Sequence, residues 1–109
     1  MSGDLQLGFC TCPNEEIAGK IADKLVADQL AACVNIVPGI TSVYRWQGAV
    51  EHGQEVLLII KTSETVWPRL EQCIQALHPY ELPEVLAVPI TGGLPAYLDW
   101  VTNSVLDGS

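Results

Sequence analysis

The chain has 109 residues, the size of one compact domain, and 49% hydrophobic against 17% charged residues excludes a disordered chain. Thirteen acidic against five basic residues give a net charge of −8, without the Lys/Arg cluster that a nucleic acid or an anionic membrane requires. No run is long enough to span a bilayer, and "MSGDLQLGFC" has no basic region leading an apolar one, so one cytoplasmic domain over 1–109 is expected.

The first stretch, "DLQLGFCTC", sets Leu5, Leu7 and Phe9 against Asp4, Gln6 and Gly8, which predicts a strand whose dry face carries the leucines. Asn14 then caps a helix whose first turn holds Glu15 and Glu16. Ile17, Ile21 and Leu25, with Ala18 and Ala22 beside them, form its apolar stripe to about residue 29. Lys20, Asp23, Lys24 and Asp28 mark the wet side.

From "AACVNIVPGITSVYRW" to "AVEHGQEVLLIIKT" the pattern is β-branched and has no helical period. Gln47-Gly48 reads as the turn of a hairpin, and Pro38-Gly39 as a bend within its first arm. Each arm runs roughly 12 to 15 residues, well beyond the usual strand. Such arms are expected to pair with a neighbouring subunit, and the surplus of apolar residues in so small a chain points the same way.

"SETVWPRLEQCIQALHP" predicts a second helix, capped by Ser63 or Thr65, with Pro68 in its first turn and Trp67, Leu70, Ile74 and Leu77 inward. "PEVLAVPI" is a short strand that Pro89 assigns to a sheet edge. "GGLPAYLDWVTNSVL" closes the chain as a third helix, starting near Pro95, with Leu98, Val101 and Val105 inward. The order β-α-β-β-α-β-α predicts an α+β, split βαβ sandwich. Its antiparallel sheet has both main helices on one face and a bare apolar face on the other.

"CT" with a following Pro in the first strand, "AACVNI" with Pro38-Gly39, "YRWQG", "EVLLIIKT", "HPYELPE" and "YLDWV" follow one another in an order and spacing of high specificity. In these the chain resembles the CutA family, named for divalent-cation tolerance, over nearly its whole length. The resemblance implies a ferredoxin-like subunit that forms a homotrimer with its hairpin arms paired across subunits, similar in architecture to PII-type signalling trimers. It implies copper binding, metal tolerance and partner or anchoring roles. It brings no catalytic reaction, and no nucleophile elbow, P-loop or zinc-protease motif occurs, so a non-enzyme is expected.

Copper(I) favours thiolates and imidazole. On that chemistry Cys10, Cys33, Cys73 and His78 are the expected ligands of copper or another divalent cation that folding does not require. Cys10 and Cys12 share a strand face at i and i+2. Cys12, however, stands where the family has no fixed cysteine and receives little functional weight. Each thiol has an ordinary alternative as a small core residue, and His78 as the last residue of a helix that Pro79 stops. The resemblance also implies that "HPYE" lines a cleft between subunits with Cys33, Asn35, Trp46, Glu55, Lys61 and Tyr97, adjoining His78, Tyr80 and Glu81. A rival expectation is therefore a signalling trimer holding a small anionic ligand around Lys61, Glu55, His78 and Tyr80. A third is a platform for a protein partner.

Overall fold

Two long strands joined by a tight turn dominate the computed structural model, which describes residues 4–107. β1 (Leu5–Cys12) leads to α1 (Glu15–Ala27), the hairpin β2 (Cys33–Trp46) and β3 (Ala49–Ser63), α2 (Trp67–Leu77), β4 (Val85–Pro89) and α3 (Pro95–Ser104). Every strand pairing is antiparallel and the sheet order is β2-β3-β1-β4, which is the split βαβ arrangement of an α+β fold. Pro89 closes the edge strand β4, where no ladder depends on its missing N–H.

Local chemistry explains the boundaries. Asn14 Oδ1 accepts the Ile17 N–H at 2.9 Å and opens α1. Gln47 and Gly48 both take positive φ, +50° and +81°, as a two-residue hairpin turn matched to strand twist requires. The pairing of β2 with β3 slips between Val37 and Ile40, so Pro38-Gly39 forms a bulge within a continuous arm. The start of α2 differs from the sequence expectation. Ser63 ends β3, and α2 begins after Val66 with no side-chain cap and with Pro68 in its first turn. Leu77, expected inward, is exposed.

The larger difference is the face of β1. Its buried residues are Gly8, Cys10, Thr11 and Cys12, whereas Leu5, Leu7 and Phe9 are only half-buried. A Cβ at Gly8 would lie 2.9 Å from the Trp67 ring, so Gly8, Cys10 and Cys12 point toward the helices and Leu7 and Phe9 point away. Alternation marks two faces without saying which one the helices cover. Here the small, polar-looking set is covered, because the α2 indole needs the space that a glycine leaves.

The single core joins Cys10 and Cys12 to Val56, Leu58 and Ile60 of β3, Ile21 and Leu25 of α1, Leu70 and Ile74 of α2, and Val101 of α3. Thr62 enters it by donating its hydroxyl to the Leu30 carbonyl at 2.7 Å. On the other sheet face Leu86 and Val88 of β4 pair with Phe9 and Leu7 and are exposed.

Candidate metal centre

β1 ends against the C-terminus of α2, and the chemistry-bearing side chains collect there. His78 is the C-cap of α2, its N–H bonded to the Ile74 carbonyl at 2.8 Å. Pro79 forbids another turn, so the chain leaves in an extended conformation and the imidazole swings over the end of β1. Its Nδ1 accepts the Tyr80 N–H at 3.1 Å, which leaves Nε2–H to donate to the Thr11 carbonyl at 2.8 Å. The ring is buried, and the Tyr80 ring lies 4.7 Å from it, centroid to centroid.

Beside it stand two fully buried thiols, Cys10 and Cys12. One donor atom from each of Cys10, Cys12 and His78 falls within 4.8 Å of the other two. The Cys10 thiol has one proton and two acceptors in reach, the Thr11 carbonyl at 3.8 Å and the Cys12 sulfur. Its hydrogen bond with Cys12, and then burial, push Cys10 well above the ordinary thiol range. The same bond lowers Cys12, with burial opposing. At the rim the Tyr80 hydroxyl donates to Glu55 at 3.2 Å. Burial, followed by the Glu55 carboxylate, raises the phenol pKa.

The remaining expected residues lie elsewhere. Cys33 pairs with Lys61, which pairs with Leu7, so all three occupy the sheet face turned away from the helices. Cys33 is thereby separated from Cys10 and Cys12 by the sheet itself. Asn35, opposite Ile59, shares that face. Cys73 is half-buried on α2 against the core, near the Lys24–Asp28 ion pair of α1, and burial raises its thiol pKa. The donors that meet are therefore Cys10, Cys12 and His78, while Cys33 and Cys73 stand outside the group. Cys12 joins this group although its place outside the family pattern gave it little weight. The i, i+2 spacing that signals it was legible, but the identity of its face was not.

The residues expected to line a cleft do not converge within one chain. Trp46 is at the hairpin tip, 63% exposed. Tyr97 packs on Trp100 of its own helix at 5.6 Å, and Glu81 is exposed. Lys61 lies six residues beyond Glu55 on β3, roughly 20 Å away at strand rise, so the two can meet only through a second copy.

Residues 6–104 match the family described as CutA1 divalent ion tolerance protein. The chain belongs to the CutA1 family. It is 55% identical over 94 residues to the divalent-cation tolerance protein CutA of Thermus thermophilus, covering 86% of this chain and 91% of that one. It is 46% identical over 108 residues to protein CutA of Homo sapiens, covering 96% of this chain but 60% of the human protein's length. The crystal structure of CutA1 from Oryza sativa superposes with a TM-score of 0.94 at 44% identity and covers 97% of each chain. This CutA1-family chain thus carries a Cys-x-Cys strand end under a helix-capping histidine.

Proposed function

We propose that this chain is a cytosolic, homotrimeric metal-tolerance protein that binds a soft cation, copper first, in the pocket of Cys10, Cys12 and His78. One observation carries the reading: three soft or borderline donors lie within 4.8 Å of one another, all buried. A lone core cysteine is ordinary packing, but two thiols meeting beside an imidazole match the donor chemistry that copper(I) prefers. In the reducing compartment that this reading includes, thiols stay available as ligands. The name of the Thermus relative, a divalent-cation tolerance protein, accords with it. Cys10 and Cys12 belong to the apolar core itself, which supports a metal that joins a finished fold and is not a condition of folding. No catalytic step belongs to the proposal.

The test is a copper titration of the unmodified protein against Cys10→Ala and Cys12→Ala. Affinity is expected to fall in both, and unchanged affinity in both overturns the reading. A second reading, a small anion held between subunits, is favoured by Lys61, which is half-buried on the outer sheet face between Leu7 and Cys33. A thermal shift with nucleotides that Lys61→Ala abolishes would favour it. No response to any of them would dismiss it.

A further inference from the structure

The pocket holds three donors, but they are not equally free to bind an ion. Both ring nitrogens of His78 are already engaged by the backbone: Nε2–H by the Thr11 carbonyl and Nδ1 by the Tyr80 N–H. Ligation through Nε2 would strand the buried Thr11 carbonyl, and ligation through Nδ1 would take the acceptor from the part-buried Tyr80 N–H, each at a cost comparable to a lost hydrogen bond. The two sulfurs carry no such commitment. Cys10 makes one long contact to the Thr11 carbonyl and one to Cys12, and thiol hydrogen bonds are weak.

We propose that Cys10 and Cys12 are the ligating pair for a monovalent d10 cation of the copper(I) and silver(I) class, with His78 as the positioning residue that holds the strand end and the following segment around them. This rests on the metal-binding reading above and narrows it. The donor count decides the ion class. Zinc takes four ligands, and copper(II) seeks a tetragonal set of nitrogen and oxygen. The pocket offers two uncommitted sulfurs, and its third donor is already hydrogen-bonded. Soft thiolates select soft monovalent ions, for which two sulfurs suffice. Binding is a ligand exchange without electron transfer: two S–H bonds break, two metal–sulfur bonds form, and the protons leave to solvent. His78 fixes where the sulfurs stand, because its bond to the Thr11 carbonyl pins the peptide between the two cysteines to the end of α2.

Silver(I), which has no redox chemistry to confuse the readout, is the probe. The unmodified protein is expected to bind one silver ion per chain and to bind zinc far more weakly. Cys12→Ala should lose roughly a hundredfold or more in silver affinity, as removal of half the ligand set implies. His78→Gln keeps an N–H donor for the Thr11 carbonyl and should stay within the roughly 10- to 100-fold loss typical of an outer-shell partner. X-ray absorption on the silver-loaded unmodified protein, which depends on no variant folding, should show sulfur neighbours and no imidazole. An imidazole in that shell, or a His78→Gln loss as large as that of Cys12→Ala, overturns the assignment. Silver binding that survives Cys12→Ala intact removes this inference but leaves the general metal reading standing. An unmodified protein that binds neither silver nor copper removes both.

Discussion

The Thr11 carbonyl organises the pocket at the scale of single residues. It accepts Nε2–H of His78 and lies within reach of the Cys10 thiol, so one backbone oxygen ties a strand end, a helix end and a sulfur together. Tyr80 closes the rim through Glu55, and its phenol carries a pH dependence whose sign follows from the shift. Burial and the carboxylates and phenols facing it, Glu55 first and then Tyr44, together with Cys12, raise the folded-state pKa above 10. A phenol with a raised folded-state pKa keeps its proton longer in the native state than in the unfolded one. Its stabilisation is therefore complete below pH 10, the unfolded value, and is lost as pH climbs through the raised one. Denaturant titrations across the alkaline range should show stability falling above that pH, with a shallower fall in Tyr80→Phe. Equal slopes would mean that Tyr80 is neither buried at the rim nor held by Glu55 in solution.

At the scale of elements, the features legible in the sequence were those fixed by local chemistry. The Asn14 cap, the Gln47-Gly48 turn and the Pro38-Gly39 bulge each follow from what one or two residues can do with their backbone, and each occupies its expected place. Asn14→Ala should cost about 1 kcal/mol, the usual worth of an N-cap, because the Ile17 N–H loses its acceptor. A thermal melt measures this, and Asn14→Asp should restore it because a carboxylate also suits the helix dipole. What was not legible depended on contacts between elements. The apolar set Leu5, Leu7 and Phe9 looked like the covered face of β1, but Trp67 of α2 packs into the space over Gly8 and sets the other face inward. That reversal moves Cys12 from the margin into the pocket. It also leaves Cys33, on β2 opposite Lys61, across the sheet from the other thiols. Half of the expected ligand set could be located only by knowing which face the helices cover.

At the scale of the whole molecule, the hairpin arms stretch the chain to 47 × 26 × 21 Å, far longer than it is thick. Their outer halves carry Val43, Tyr44, Trp46 and Val50, all exposed, and Leu82, Leu86, Leu94 and Trp100 add further apolar surface around the body. Isolated apolar side chains are common on soluble proteins, but a set of this size running along one ribbon and onto an open sheet face marks a surface meant to be covered. Association of three copies, the state proposed above, would cover it. Trp46 is the most informative position. If the subunit stands alone, its indole is largely in water, and Trp46→Asp should change neither mass nor melting temperature. If the arms pair across subunits, the same change places a charge where an aromatic anchor was buried, a loss of about 2 kcal/mol or more at each of the symmetry-related contacts. Light scattering in dilute solution should therefore give a three-chain mass for the unmodified protein and a smaller, concentration-dependent mass for Trp46→Asp. A single-chain mass for the unmodified protein would overturn the assembly, and with it any ligand site that needs residues from two chains. The Cys10–Cys12 pocket would survive, because every atom of it comes from one chain.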